Sequence, residues 1–212
     1  FTMSNFDRAQ SLADVVNTSG RTALVLESFG LDFCCGGTQR LEDACAAGGV
    51  DVDAVIRALD EIGPGPQAAW RSMDVFELVD HIERVHHGYL HEALPRYDTL
   101  AEKVVAVHGE HHPELRDVAR VFQELRADLE PYLAKEERVL FPMIRQLAGA
   151  TTPPEFFCGS LRNPISAMMI EHEATGTLLS ALRAATGGYE TPPDGCASYQ
   201  ALFDGFADLE HD

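Results

Sequence analysis

Apolar residues recur at three- to four-residue steps along the C-terminal two thirds of the chain. The stretch from about residue 74 to 107 shows this spacing, with longer gaps where histidines intervene, at Phe76, Val79, Ile82, Leu90 and Leu94. Such spacing predicts a long amphipathic helix. Similar patterns predict three more long helices, from about residue 113 to 147, from 163 to 187 and from near 196 to 212. Almost no strand pattern is present, and short connections between four long helices favour an up-down-up-down bundle.

Three prolines fall inside these helical patterns, at Pro95, Pro131 and Pro142. Proline removes a backbone donor and clashes with the preceding turn of a helix. We therefore expect kinks or interruptions of the bundle helices at these positions.

A smaller helical unit precedes the bundle. One helix begins at Ser11, a second follows Thr18 as its cap and ends at Gly30, and another begins at Asp51 or Val52. Residues 63–66 read Gly-Pro-Gly-Pro, the clearest linker signal in the chain. The sequence thus predicts an all-α protein with a small helical domain over 1–62, a linker over 63–73 and a four-helix bundle over 74–212, whose last helix looks truncated.

Composition narrows the classes of function. The 212 residues carry a net charge of −18, so the surface repels phosphate backbones and nucleic acid is not an expected partner. No apolar run approaches the roughly 20 residues that span a bilayer, and the first residues lack a signal-peptide pattern. Two of the five cysteines are adjacent, which fits reduced thiols better than a secreted disulfide framework, so we expect a cytoplasmic protein without a membrane partner.

Histidines are concentrated in the first predicted bundle helix and the turn after it. His87 and His91 share one helix face. If the second helix folds back at the turn near residues 110–111, His87 lies level with about residue 134. Tyr132 and Glu136 share one helix face and lie within one helical turn of that level. Glu136 interrupts an apolar stretch, where a buried carboxylate is costly unless it is paired or bound to a metal.

The third bundle helix completes this layer. It carries His172 as a polar insertion in an apolar face, roughly one turn from the same level. A helical bundle builds an iron site from a histidine, a carboxylate and a further donor that come from three helices. His108 lies 21 residues beyond His87, about 31 Å along a straight helix, and cannot join the same site.

Several motifs resemble the iron-sulfur cluster repair di-iron proteins, the RIC family. Residues 31–37 match its Asp-aromatic-Cys-Cys-Gly-Gly signature, and residues 135–142 match the Lys-Glu-Glu-x-x-Leu-Phe-Pro segment of its haemerythrin-like domain. Residues 164–166 with 171–173 match the start of its third bundle helix, and residues 79–82 with His87 match its first. The resemblance extends over nearly the whole chain.

The resemblance implies a site made of two iron ions. Its ligands fall on His87, on Glu136 as a bridging carboxylate and on His172. Tyr132 stands where the family has a histidine. It is either a phenolate ligand, which we predict, or it only fills the space of that histidine. The family also uses a His-x-x-x-Glu pair in its last helix, and that histidine would come four residues after Asp212.

The implied function is repair of iron-sulfur clusters damaged by nitrosative or oxidative stress, by iron donation or by reduction of nitric oxide at the di-iron site. Damaged iron-sulfur proteins, nitric oxide and O2 are the expected partners. An alternative is a haemerythrin-like protein that binds or senses O2 or nitric oxide without repair. A metal-free helical interaction module is a third reading, against which the polar insertions at Glu136 and His172 argue.

The adjacent thiols of Cys34 and Cys35 form the second candidate site. They are either two buried apolar thiols or a redox site that meets the damaged cluster, carries iron or pairs with a second subunit in a homodimer. Neighbouring cysteines do not easily form a disulfide with each other. The remaining cysteines, Cys45, Cys158 and Cys196, are isolated and predicted to be structural.

Overall fold

A computed structural model describes residues 6–33, 36–62 and 69–212 of the chain. Cys34, Cys35 and most of the predicted linker lie outside the described residues. The described part is helical, with one isolated antiparallel bridge between Ser11 and Arg40 and no β-sheet. The chain divides into two compact units, Phe1–Met73 and Asp74–Asp212.

Within its described residues, the first unit contains four short helices. They are α1 (Leu12–Val16), α2 (Gly20–Ser28), α3 (Leu41–Gly48) and α4 (Val52–Glu61), followed by a 3-10 turn (Ala69–Ser72). Their buried residues form one core, centred on Leu12, Leu26, Leu41, Val55 and Leu59. All four α-helices therefore contribute to a single small hydrophobic core.

Helix caps in this unit agree with the predicted starts at two of three positions. Ser11 accepts a hydrogen bond from the backbone of Asp14 at the start of α1, and Asp51 caps α4. The cap of α2 is Ser19, which accepts from the backbone of Arg21, so the prediction of Thr18 is wrong by one residue. Both residue types serve as caps, and the local sequence does not decide between neighbours.

The second unit is a four-helix bundle. The first bundle helix comprises α5 (Val75–Ile82), a π-helical turn (Glu83–His87) and α6 (Gly88–His108). The second comprises α7 (Leu115–Lys135), a π-helical turn (Glu136–Leu140) and α8 (Phe141–Gly149). The third is α9 (Arg162–Ala185) and the fourth is α10 (Ala197–His211). The predicted all-α bundle is thereby confirmed.

The helices are interrupted at the π turns rather than at two of the three prolines. Pro95 lies within α6 and Pro131 within α7, and neither proline ends its helix. At the π turns, the Gly88 N–H donates to the carbonyl of Glu83 and the Phe141 N–H to that of Glu136, each five residues back. Pro142 lies in the first turn of α8, directly after the second π turn.

The bundle core lies between α6, α7 and α10. Helix α7 packs against both α6 and α9, and α10 packs against α6. The rings of Phe122 and Phe206 lie 4.8 Å apart, and Tyr97 meets both edge-on. Gly205 lets α10 approach α6, because a Cβ atom at this position would lie 2.3 Å from Cε1 of Tyr97.

Within the described ranges, no helix combines the length and the apolar character that a membrane crossing requires.

Candidate metal centre

His87 is the most deeply buried histidine of the predicted site, with 3% of its surface exposed. Its Nε2 atom lies 3.1 Å from Oε2 of Glu136, and its Nδ1 atom lies 3.0 Å from Oε1 of Glu137. The two carboxylates are neighbours in sequence and hold the two nitrogens of one ring. The contact between His87 and Glu136 joins the first two bundle helices at the level predicted from the sequence.

Both residues of this contact lie in the π-helical turns. His87 ends the turn over Glu83–His87, and Glu136 begins the turn over Glu136–Leu140. A π turn inserts an extra residue into a helix and changes which side chains face the neighbouring helix, and such turns are frequent at functional sites. Here the extra residues occur on both helices at the height where His87 meets Glu136.

Glu137 connects two histidines of the first bundle helix. Its Oε1 atom lies 2.7 Å from Nε2 of His91 and 3.0 Å from Nδ1 of His87. A carboxylate on the outer nitrogen of a histidine fixes the orientation of the ring and leaves the other nitrogen to face a metal. Glu137 therefore aims Nε2 of His87 towards Glu136.

The electrostatics of this group favour an ion-paired state. Burial by itself lowers the pKa of His87, but the hydrogen bonds with Glu136 and Glu137 outweigh it and raise the pKa above its ordinary value. Burial raises the pKa of Glu137, and the hydrogen bonds with His91 and His87 outweigh it and lower the pKa. The carboxylate of Glu137 thus stays ionised beside imidazoles that can carry positive charge.

Tyr132 and His172 form the second pair of predicted ligands. Their ring centroids lie 6.3 Å apart, between α7 and α9. Tyr132 packs against the apolar cluster that includes Phe141, and the ring centroid of Phe141 lies 5.3 Å from that of His87. Both pairs of predicted ligands therefore lie next to the apolar cluster that contains Phe141.

Charged residues surround this region. Lys135 forms an ion pair with Oε1 of Glu171, while Oε2 of Glu171 is buried and has no hydrogen-bond partner among the residues that the structure describes. Arg145 on α8 pairs with Asp80 and lies 2.8 Å from Glu83, which ties α8 to the first π turn. These contacts join α7 to α9, and α8 to α5 and the first π turn.

The donor chemistry of the site fits iron. Imidazole nitrogen and carboxylate oxygen, both largely buried at His87 and Glu136, are the ligand types that non-haem iron takes. The unpaired Oε2 atom of Glu171 adds a buried anionic oxygen on α9. Across 6–33, 36–62 and 69–212, no three or more His, Cys, Asp or Glu side chains already enclose a point where a metal ion would sit. The described residues thus provide donors that fit iron, in pairs rather than as one closed shell.

The structure brings His87 together with Glu136, and Tyr132 together with His172. The contacts of Glu137 with His87 and His91 were not predicted from the sequence. The signal was available, since Glu137 adjoins Glu136 and His91 lies four residues after His87 on the same face. Cys34 and Cys35, the other predicted site residues, lie outside the described residues.

Two family models match the chain, one on each unit. Residues 78–211 match the haemerythrin HHE cation binding domain, which defines the bundle as a cation-binding domain. Residues 8–62 match ScdA_N, a domain of unknown function.

Curated relatives match the two domains together. Three of them, each named iron-sulfur cluster repair protein YtfE, come from Enterobacter sp. (strain 638), Escherichia coli O1:K1 / APEC and Salmonella schwarzengrund (strain CVM19633). They are 32%, 31% and 30% identical to the chain over 206 residues, which is 97% of this chain and 90% of each relative. The chain belongs to the family of haemerythrin-domain iron-sulfur cluster repair proteins, and the predicted resemblance is confirmed.

Proposed function

We propose that this chain repairs iron-sulfur clusters damaged by nitric oxide or oxidants, and that its bundle holds a non-haem di-iron centre for that purpose. The buried contact between Nε2 of His87 and the carboxylate of Glu136 is the observation that carries the proposal. Relatives named for cluster repair, similar over 97% of the chain, support the same function.

His87, Glu136, Tyr132 and His172 would hold the two iron ions, with Glu136 proposed as the bridging carboxylate. Bound iron would supply exchangeable coordination positions, suited to release of iron or to capture of a diatomic ligand such as nitric oxide or O2.

The remaining residues of the site orient and shield these ligands. Glu137 holds the outer nitrogen of His87 and keeps Nε2 directed inwards. Phe141 packs on the His87 ring and, with its apolar neighbours, excludes water from one side of the site. Shielding of this kind lowers the local dielectric constant and strengthens the bonds between the carboxylate and a cation.

The small domain is proposed to act separately from the bundle. In this view Cys34 and Cys35 meet the damaged cluster or carry iron, and the residues between the two domains serve as a linker. Damaged iron-sulfur proteins are the proposed partners, and a homodimer through the small domain is a further possibility that the adjacent thiols suggest. The cytoplasmic location remains an expectation from the cysteine usage.

Iron stoichiometry tests the di-iron centre. Protein purified without oxygen should contain two iron ions per chain, and Glu136→Ala should lose most of both, because a bridging carboxylate contacts both ions. Glu130→Ala is the matched control, since Glu130 lies on the same helix and pairs only with Arg126 in an exposed position. A Glu136→Ala variant that keeps two irons per chain would show that Glu136 is not the bridge.

A second function is favoured by the family model of the bundle, whose description names cation binding alone. On this reading the protein binds or senses O2 or nitric oxide without repair. Repair of a damaged cluster by the wild-type protein separates the two functions, and replacement of both cysteines by serine tests whether the thiols take part in it. Loss of repair with unchanged iron content supports a role for the thiols in repair, whereas full repair by the double variant would exclude that role.

A further inference from the structure

Three contacts join the first two bundle helices at steps of about one helical turn. They are Arg145 with Glu83, Phe141 with His87, and Glu137 with His91. On both helices the successive partners lie four residues apart, so each helix directs them towards the same neighbour. The contact between the Phe141 and His87 rings is therefore bordered on either side by a polar contact.

Arg145 supplies the polar contact on the side of α5 and α8. Its Nη2 atom donates to Oε2 of Glu83 at 2.8 Å and also donates to Oδ1 of Asp80. The side chains of Arg145 and Glu83 are 30% and 33% exposed, so solvent screens this contact only in part. No other Lys or Arg occurs in Phe141–Gly149. Arg145 is thus the cation by which α8 holds these two carboxylates.

Phe141 is the part of α8 that reaches the candidate metal centre. It is 4% exposed, and its ring centroid lies 5.3 Å from that of His87, with an angle of 37° between the two ring planes. It shares an apolar cluster with Val79 of α5. Because Arg145 ties α8 to α5 one turn further along, a movement of α8 away from α5 would take Phe141 off the His87 ring.

The contact between His87 and Glu136 has a different support. His87 directly precedes α6, and Glu136 directly follows α7. These two helices pack against each other in the bundle. Loss of Arg145 should therefore leave Nε2 of His87 facing Glu136 and remove only the apolar cover that Phe141 provides.

We propose that Arg145 is a positioning residue of the metal centre, which acts through Asp80 and Glu83 to keep Phe141 packed on the His87 ring. It thereby closes this side of the site to water and to molecules that bind iron. This inference rests on the proposed iron function of the bundle. An ion pair near the surface contributes little to global stability, so its loss should open this side of the site without unfolding the chain.

The nuclear Overhauser effect between ring protons of Phe141 and His87 tests the positioning role in the metal-free full chain. It falls with the sixth power of the proton separation, so it reports directly whether the two rings remain in contact. Arg145→Gln should weaken it clearly. Arg145→Lys keeps a cation that can donate to both carboxylates and should retain most of it, whereas Glu83→Gln removes the same contact from the other side and should weaken it as well.

Arg126→Gln is a matched control for the loss of an ion pair. Arg126 is 29% exposed and also pairs with two carboxylates, and its contact with Asp98 joins α7 to α6 away from the π turns. Its replacement should leave the effect between the two rings unchanged. An equal loss in Arg126→Gln, or an undiminished effect in Arg145→Gln, would overturn the proposal.

Removal of iron by a chelator provides the second measurement. With the cover loosened, Arg145→Gln should release iron roughly tenfold faster than the wild type, at the lower end of the change that follows loss of a residue supporting a metal ligand. Arg126→Gln should release it at the wild-type rate. A wild-type chain without iron would contradict the proposed function, and the ring contact would still test Arg145. Equal release from Arg145→Gln and the wild type would overturn the role of Arg145 in closing the site.

Discussion

The Nδ1 atom of His87 lies 3.0 Å from Oε1 of Glu137, while Nε2 of the same ring faces Glu136 at 3.1 Å. Two consecutive glutamates of the second bundle helix therefore hold opposite sides of one imidazole. Since a histidine binds a metal ion through one nitrogen only, the outer contact selects which nitrogen is available.

Glu137→Gln should weaken iron binding about 10- to 100-fold, because the amide holds and polarises the His87 ring less well than a carboxylate does. Competition with a chelator of known affinity measures the change. Nitrogen-15 chemical shifts of His87 in the metal-free protein should also show a changed distribution of the proton between Nδ1 and Nε2, which loss of packing alone would not cause.

Glu130→Gln provides the control for this experiment, as Glu130 is an exposed residue of α7 that pairs with Arg126. It should bind iron like the wild type. Iron affinity and His87 chemical shifts that are both unaltered in Glu137→Gln would refute the orienting role of Glu137.

Tyr132→Phe should abolish a visible charge-transfer band of the ferric protein. Tyr132 and Glu136 lie four residues apart, so both can face one ion, and a ferric ion can displace the phenol proton. The absorption spectrum of the oxidised protein provides the measurement. If the phenolate is a ligand, the wild type should also have a lower reduction potential than Tyr132→His.

The alternative, in which Tyr132 does not bind iron, predicts a different result. If Tyr132 only occupies the space of a missing histidine, the ferric spectrum and iron content of Tyr132→Phe will match those of the wild type. In that case Tyr132→His should increase the affinity for iron.

Gly205→Ala should destabilise the bundle by about 1–2 kcal/mol. The new Cβ atom would lie 2.3 Å from the ring of Tyr97, which is 1% exposed and cannot move aside. Overpacking of this kind costs roughly 1–3 kcal/mol, and the better helix propensity of alanine offsets up to about 1 kcal/mol of it. Denaturant unfolding measures the difference, with Gly149→Ala as the control because its Cβ atom would meet only Phe76, at 3.7 Å. A stabilised Gly205→Ala variant would contradict the close approach.

Asp194→Asn should lower the pKa of His112. The hydrogen bond with Asp194, and then that with Glu114, raises this pKa above its ordinary value. Because the pKa is raised in the folded state, the stabilising contribution is complete below the unfolded value of about 6.5 and disappears as the pH rises through the folded value. The stability difference between wild type and Asp194→Asn should therefore shrink from pH 6 to pH 8.

Proton NMR titration of His112 and denaturant midpoints at the two pH values check this prediction. Asp128→Asn, at an exposed position in the middle of α7, serves as the control. Identical titration of His112 in wild type and Asp194→Asn would show that the contact does not persist in solution.

The helical bundle was predictable because its apolar spacing is long and regular. The level of the site was predictable to within two or three residues, since the partner expected near residue 134 is found at Glu136 and Glu137. The remaining offset arises at the connection between the two helices, which runs from His108 to Leu115 and is therefore centred about one residue later than the turn expected near residues 110–111. The first π turn was indicated in the sequence by the longer spacing between apolar residues beside the histidines.

Other features depend on contacts that no local pattern carries. Helix α3 was missed because its short sequence contains several small residues and few periodic ones. The orienting contact of Glu137 depends on which nitrogen of the His87 ring each of two neighbouring carboxylates meets. The contact of His112 with Asp194 joins residues 82 positions apart in the chain.

The π turns also limit how the two longest helices can change during evolution. Removing one residue from either turn would restore a regular helix and rotate one half against the other by about 100°. Helix α5 or α8 would then turn its packed face away from the other, and Arg145 would lose its contact with Asp80, although every side chain of the site would still be encoded. Single-residue deletions here should be eliminated by selection even where substitutions nearby are tolerated, so descendants of this chain should keep the lengths of both turns unchanged.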